Sequence, residues 1–212
     1  QFAQSCREGI RCRVAGAAAL LNQRRGQRVI EVSQGIYQQS TPELQQAEIA
    51  AACTAAQEAN AVFPHTVTSL VFTNEYVTDT VTTNAVTAML TAHKPAVNVL
   101  GLKVGVRSQT FGQLTNPASP YLAPLQTLVR NCDFILCNLY PPNPPGTIQD
   151  SLFSVTRAFD GITAAVVAVN PQCDVMIGET GWPSAGISFN NSINTVENAR
   201  SYFEAVRQWS LQ

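Results

Sequence analysis

The chain has 212 residues, 45% of them hydrophobic and only 13% charged, and its formal net charge is −1. Without a cationic stripe to neutralise phosphates, this composition argues against a nucleic-acid-binding protein, and no apolar run approaches the roughly 20 residues of a membrane-spanning helix. The length is sufficient for one sizeable core, so we predict a single domain over residues 1–212.

Five segments rich in β-branched and apolar residues are typical of strands, and segments with helical spacing of apolar residues separate them. The predicted strands are Arg28–Tyr37, Thr68–Val77, Val97–Ser108, Asp133–Tyr140 and Asp174–Glu179. The predicted helices are Pro42–Ala61, Asn84–His93, Ser119–Arg130, Ser151–Asn170 and Asn194–Leu211. Thr41 before Pro42 is a helix start signal, because Thr caps helices and Pro suits the first helical position.

The alternation of strands and helices predicts repeated βα units around a parallel sheet. Two architectures fit this α/β pattern: an open, doubly wound sheet and a (β/α)8 barrel of the TIM type. No GxGxxG or Walker pattern follows a strand, which counts against a nucleotide-binding version of the open sheet. Distinctive polar and aromatic residues gather instead at the carboxyl ends of several strands, as they do on the active face of a barrel.

Two carboxylates, Glu75 and Glu179, stand at predicted strand ends and would project onto the same face of a parallel barrel. Glycosidic bond cleavage uses such a pair, one carboxyl group to protonate the leaving oxygen and one to act on the anomeric carbon. Nearby aromatic rings could stack on sugars, and nearby amides could hydrogen-bond to hydroxyls. These substrate-contact candidates are Tyr37, Tyr76, Tyr140, Trp182, Asn74 and Asn138. Alternatively, each Glu is a solvent-exposed charge in a loop, and Trp182 has only a structural packing role.

Six cysteines occupy positions 6, 12, 53, 132, 137 and 173, in no spacing typical of a zinc site, and we predict neither a metal nor a cofactor. Their even number favours an oxidising compartment. Cys132 and Cys173 precede two predicted strands by the same offset, which predicts a disulfide if those strands are neighbours; two free buried thiols are the alternative. The tripeptide Asn190-Asn191-Ser192 is an acceptor sequence for an N-glycan.

The segment from Gly178 to Gly186, Gly-Glu-Thr-Gly-Trp-Pro-Ser-Ala-Gly, resembles the nucleophile signature of glycoside hydrolase family 17, the β-1,3-glucanases and glucanosyltransferases. Thr73-Asn74-Glu75 resembles the acid/base strand end of that family, and Asn138-Leu139-Tyr140-Pro141 resembles its sixth-strand motif. The resemblance runs from Val29 to about Gln208.

This resemblance implies a (β/α)8 barrel, retention of configuration, β-1,3-linked glucan as the substrate, and a secreted, extracellular or cell-wall location. It assigns the role of nucleophile to Glu179 and that of acid/base to Glu75. It also implies that Asn74, Tyr140 and Trp182 contact the substrate.

The sequence departs from the family pattern in two places. Thr73 stands where the family usually has Gly, two residues before the acid/base. Phe2–Cys6 resembles the loop after the second strand and Asn194–Leu211 the seventh helix, so the first and eighth βα units and most of the second strand have no counterpart. We therefore expect an incomplete barrel with open edges, which are templates for self-association. The alternative to a glucan-cleaving or transglycosylating enzyme is a non-catalytic carbohydrate-binding or assembly protein built on this scaffold.

Overall fold

A computed structural model describes residues 13–143, 145–187 and 193–211. Cys6, Cys12, the segment Phe2–Cys6 and the sequon at 190–192 lie outside these ranges. The helices are α1 (Arg13–Arg25), α2 (Pro42–Val62), α3 (Thr80–Val99), α4 (Leu122–Asn131), α5 (Ile148–Val169) and α6 (Val196–Trp209). The strands are β1 (Val32–Ile36), β2 (Val67–Asn74), β3 (Lys103–Ser108), β4 (Phe134–Asn138) and β5 (Asp174–Glu179), and a 3-10 helix covers Thr110–Thr115.

The five strands form one parallel sheet in the order β1-β2-β3-β4-β5. Each strand pairs with the next one along the chain, and a helix lies in every connection. A doubly wound sheet reverses its strand order at a switch point, and this sheet has no reversal among its described strands. The order therefore decides for the barrel-type winding, in which all strand carboxyl ends meet on one rim.

The main core lies where the helices pack against the sheet. Its fully buried strand residues include Leu70, Phe72, Val104, Val106 and Ile135, and its helix residues include Ile49, Val86, Leu90, Leu125 and Ile162. Burial of each such side chain stabilises the fold by about 1.5–3 kcal/mol relative to exposure. This packing makes the sheet a rigid support for the residues at its carboxyl rim.

Most predicted elements are confirmed, with differences at their ends. Thr41 caps α2 by accepting a hydrogen bond from the Leu44 N–H, and Pro42 occupies the first turn. The prediction of a strand from Val97 is wrong, because α3 continues through Pro95 to Val99. Val97 is β-branched, which favours a strand, but in the structure it lies in the helix and is buried in the core. Helix α1 and the 3-10 helix were not predicted.

Helix α5 is longer and more apolar than we expected. It is the one described helix long and apolar enough to cross a membrane, judged by length and composition alone, so the prediction that no run approaches that length is too strict. In the structure it contacts the 3-10 helix, α4, α6 and β5, which is the position of a helix in a βα unit. Thr147 and Asp150 form a capping box at its start.

The predicted disulfide between Cys132 and Cys173 is wrong in this structure, where both are buried free thiols. Phe134 pairs with Asp174, so the register places Cys173 one residue out of line with Cys132. The equal offset assumed from the sequence is therefore not the true strand alignment. Burial raises the pKa of Cys173 to about 12, which keeps this thiol protonated and unreactive at neutral pH.

Candidate active site

Four consecutive strands bring both predicted carboxylates and two further polar residues together at the carboxyl rim. Glu75 directly follows β2, Arg107 lies near the end of β3, Asn138 ends β4 and Glu179 ends β5. Asn74 is paired with Arg107 across the β2–β3 ladder, and Asn138 is paired with Glu179 across the β4–β5 ladder. Parallel pairing in order thus converts positions far apart in the sequence into one cluster.

A bulge at Thr73 shapes the end of β2. The register with β3 shifts between Phe72 and Asn74, and Thr73 has a φ of 64°. Glu75 also has a positive φ, 54°. The left-handed region is costly for residues with a Cβ, and more so for a β-branched one, by roughly 1–3 kcal/mol at such sites. The family's usual glycine at the position of Thr73 has a physical reason here, since only Gly adopts this conformation without strain.

A second bulge lies at Gly178, directly before Glu179. The β4–β5 register shifts between Cys137 and Asn138. A Cβ on Gly178 would lie 2.8 Å from Asn138 Oδ1 and 2.9 Å from Arg107 Cδ. The missing side chain therefore makes room for two groups of the site. Bulges commonly re-aim side chains next to active sites, and here one precedes each carboxylate.

Glu179 is held by a cation and a phenol. Its Oε1 lies 2.8 Å from Arg107 Nη1, and its Oε2 accepts a 2.8 Å hydrogen bond from the Tyr140 hydroxyl. Burial of the phenol, followed by its hydrogen bond to Glu179 and the negative charges of Glu179 and Glu75, raises the pKa of Tyr140 to about 12. Tyr140 is therefore a fixed proton donor at neutral pH, and both oxygens of Glu179 are held by donor groups.

Arg107 is a functional candidate that the sequence analysis missed. Its side chain is only 8% exposed, and its Nε donates a 2.6 Å hydrogen bond to Asn74 Oδ1. Burial lowers the pKa of Arg107, while the charges of Glu179, Glu75 and Tyr140 act in the opposite direction. A signal was available: Arg107 directly follows the apolar run Val104-Gly105-Val106 near the carboxyl end of β3, where an unpaired charge would be costly.

Glu75 has neutral partners. Asn138 Nδ2 donates a 2.9 Å hydrogen bond to Glu75 Oε1, and the Glu75 backbone N–H donates to the Arg107 carbonyl at 3.0 Å. Glu75 is exposed, whereas Asn138 is buried. Because Asn138 directs its amide nitrogen to Glu75, its role in the structure is to hold that carboxyl group. The sequence pattern instead predicts hydrogen bonds from Asn138 to sugar hydroxyls.

The predicted aromatic contacts occupy different settings. Tyr37, just after β1, and Tyr140 are 40% and 52% exposed. Tyr76 is partly buried and packs against the core, so it contributes to stability as well. Trp182 is partly buried as well; its Nε1 donates to the Ile193 carbonyl at 3.0 Å, and its ring centroid lies 5.8 Å from that of Tyr202. A packing role for Trp182 is therefore present beside any contact with a ligand.

Helix α6 supports the loop that follows Glu179. The Tyr202 hydroxyl lies 2.7 Å from Thr180 Oγ1, and Tyr202 is buried. This contact joins the residue after Glu179 to α6, which packs against α5. The carboxylate at the end of β5 is thereby fixed from both sides, by Arg107 within the sheet and by the loop anchored on α6.

No family model matches the chain, but curated relatives match parts of it. A glucan 1,3-beta-glucosidase of Saccharomyces cerevisiae is 26% identical over 93 residues, which are 40% of this chain and 29% of that protein. A probable glucan endo-1,3-beta-glucosidase of Emericella nidulans is 38% identical over 60 residues, 28% of this chain and 13% of that protein. The chain thus spans less than a third of the length of either relative.

Solved structures match nearly the whole chain. An endo-laminarinase from Formosa superimposes with a TM-score of 0.74 at 15% identity, covering 98% of this chain and 64% of that one. The glycoside hydrolase family 17 β-1,3-glucanosyltransferase from Rhizomucor miehei, also solved as an active-site mutant with laminaritriose, gives a TM-score of 0.64 at 22% identity, covering 94% and 68%. The predicted fold class is confirmed: the chain has the α/β fold of the family 17 enzymes, and its described residues form an incomplete (β/α)8 barrel.

Proposed function

We propose that this chain, with the fold of the family 17 glycoside hydrolases, is a single partial-barrel catalytic domain that cleaves or transglycosylates β-1,3-linked glucan with retention of configuration. The observation that carries the proposal is the pair of carboxylates at the ends of β2 and β5. Asn138 and Arg107 connect them, because Asn138 holds Glu75 and pairs with Glu179, while Arg107 contacts Glu179 and the residue before Glu75.

The different partners of the two carboxyl groups support different roles. Glu179 faces a guanidinium and a phenol hydroxyl, which stabilise a carboxylate anion and suit a nucleophile. Glu75 faces the neutral amide of Asn138 and is exposed, which suits a group that exchanges a proton with the substrate and with water.

The reaction proceeds in two steps of a retaining mechanism. Glu179 attacks the anomeric carbon while Glu75 gives its proton to the leaving oxygen, so the glycosidic bond breaks and a glycosyl ester forms on Glu179. Glu75, now ionised, then takes a proton from water or from a sugar hydroxyl. That oxygen attacks the anomeric carbon and releases the carboxylate of Glu179. Water gives hydrolysis, and a sugar hydroxyl gives transglycosylation.

Asn74, Tyr140, Tyr37 and Trp182 would contact the sugar in this proposal, with Tyr76 and Asn138 supporting the site from beneath. The proposed glucan specificity is supported by the curated relatives, which are named glucan 1,3-beta-glucosidase and probable glucan endo-1,3-beta-glucosidase. It is also supported by the laminaritriose bound in a structural neighbour. A polymeric glucan is met outside the cell, so we propose a secreted, extracellular or cell-wall location. The low charged fraction of 13% is compatible with that environment.

The proposal is tested by incubating the protein with laminarin and analysing the oligosaccharides by mass spectrometry. We expect shortened products, longer transfer products, or both. Glu179→Ala should abolish turnover, whereas Glu204→Gln, which changes a partly exposed carboxylate paired with Arg207 on α6, should leave it unchanged. Laminarin that binds but is not cleaved at high protein concentration would instead support the non-catalytic carbohydrate-binding alternative.

Azide distinguishes the two carboxyl roles on an aryl β-laminaribioside. In Glu179→Gly, azide replaces the nucleophile and should yield the α-glycosyl azide, because a single displacement inverts the anomeric centre. In Glu75→Ala, azide attacks the glycosyl ester on Glu179 and should yield the β-glycosyl azide. The opposite pairing of product and variant would contradict the assignment.

A further inference from the structure

Arg107 lies on β3, between the strands that carry the two sides of the site. Its Nη1 contacts Glu179 Oε1 at 2.8 Å toward β5, and its Nε contacts Asn74 Oδ1 at 2.6 Å toward β2. The side chain is 8% exposed, and Gly178 provides the space beside its Cδ. One buried guanidinium thus joins the proposed nucleophile to the residue directly before the proposed acid/base.

We propose that Arg107 is a positioning residue that orients Glu179 and Asn74 together, a role that rests on the proposed glucan-cleaving function. The planar guanidinium presents its N–H groups in fixed directions, so the contact to Asn74 sets the plane in which Nη1 meets Glu179. A displacement of either partner is transmitted to the other through this rigid group.

The contact also defines what Asn74 offers to a sugar. An amide has one acceptor oxygen and one donor nitrogen, and the Oδ1 of Asn74 accepts from Arg107. The Nδ2 group remains to face the substrate, so Asn74 acts toward the sugar as a hydrogen-bond donor. Loss of Arg107 would free the amide to rotate and present its oxygen instead. The inference therefore predicts two separate kinetic consequences, one through Glu179 on kcat and one through Asn74 on KM.

The test compares Arg107→Ala and Arg107→Lys with the parent on laminarin. We expect Arg107→Ala to lower kcat about 100-fold, the size of effect that a misplaced catalytic group produces, and to raise KM. Arg107→Lys keeps the charge, but a single ammonium cannot reproduce the planar pair of N–H groups that contact Asn74 and Glu179, so this variant should recover only part of kcat. Guanidinium at sub-denaturing concentration should raise the turnover of Arg107→Ala and leave the parent unchanged.

A matched control is Arg157→Ala, which removes an exposed arginine on α5. It should leave kcat, KM and the guanidinium response at parent values. A merely structural role for Arg107 predicts a lower melting temperature without recovery of kcat by guanidinium, and that result would overturn the inference. An active parent with an Arg107→Ala variant of equal kcat would overturn it as well, whereas an inactive parent contradicts the proposed function itself.

A second measurement remains informative if the Arg107 variants do not fold. The Arg107 Nε–H signal in a ¹⁵N spectrum of the parent should be protected from exchange because of its bond to Asn74. It should shift in Asn74→Ala and in Glu179→Gln, since each variant removes one partner. A signal that responds to only one of these variants would show that the two contacts are independent, contrary to the inference.

Discussion

At the scale of single residues, the chemistry of the site depends on which atoms of neighbouring side chains face each carboxylate. Glu179 and Glu75 are the same residue type, yet one meets Arg107 and Tyr140 and the other meets Asn138. Such differences in hydrogen-bond partners are how proteins separate the roles of paired carboxyl groups. The structure therefore supports distinct roles for the two carboxyl groups.

Tyr140 gives a pH-dependent prediction at this scale. Its pKa is raised from 10.0 to about 12 in the folded chain, so the unfolded chain loses the phenol proton first. The resulting stabilisation is complete below about pH 10 and is lost as the pH rises toward 12. Between these values the free energy of unfolding of the parent should fall more steeply than that of Tyr140→Phe, as measured by urea denaturation.

The same experiment on Glu179→Gln tests the cause. The hydrogen bond and charge of Glu179 both raise the pKa of Tyr140, so the alkaline fall in this variant should be shallower than in the parent. Parallel curves for the parent and Tyr140→Phe would show that this phenol does not contribute to the pH dependence of stability.

At the scale of secondary structure elements, the ends of β2 and β5 are irregular where the chemistry lies. Thr73 and Gly178 are each passed over in the pairing with a neighbouring strand, and a carboxylate follows each after one or two residues. A bulge turns the strand locally and changes the face to which the next side chains point. The strand pairing is irregular at these two ends, whereas β3 and β4 pair with each other without a register shift.

Gly178→Ala tests the second bulge. The added Cβ would lie 2.9 Å from Leu136 Cβ as well as close to Asn138 and Arg107, and such overpacking typically costs about 1–3 kcal/mol. We expect that loss in the free energy of unfolding, measured by urea denaturation, together with a lower kcat because Arg107 and Asn138 must move.

The control for this variant is Gly112→Ala in the 3-10 helix. A Cβ at Gly112 meets nothing within 4 Å, so stability should change by less than about 1 kcal/mol. If Gly178→Ala were as stable and as active as Gly112→Ala, the close packing of Asn138, Arg107 and Leu136 around Gly178 would not matter for function.

At the scale of the whole molecule, the described sheet ends in two edge strands, β1 and β5. Apolar side chains are exposed beside both: Val29 and Ile30 precede β1, and Met176 lies within β5. Phe203, on the helix that follows β5, is 65% exposed. Unpaired strands flanked by apolar surface are templates for pairing with another chain.

We therefore predict that the chain by itself self-associates through these edges. Light scattering should give masses above that of one chain that rise with concentration. Met176→Lys should lower the association, because a charge on an edge strand opposes pairing. Leu44→Lys, at an exposed position on α2, is the control and should not change it. A single-chain mass at all concentrations would contradict the prediction.

Much of this organisation was accessible from the amino-acid sequence. Periodicity located the βα units, Thr41 and Pro42 marked a helix start, and the motif around Glu179 indicated the family 17 fold. The errors came from long-range packing. Val97 is β-branched but helical because the core buries it there, and Cys132 is not bonded to Cys173 because the strand register differs by one residue from the alignment of the sequence patterns.

The sequence by itself determined the α/β type of fold and indicated the two candidate carboxylates, because both depend on local patterns: apolar periodicity and residues at strand ends. Only the tertiary structure decided the winding of the sheet, the two bulges and the partners of each carboxylate. These depend on which strands become neighbours and in which register. Arg107 shows the difference most clearly, since its contacts with Asn74 and Glu179 exist only because β3 lies between the strands that end beside them.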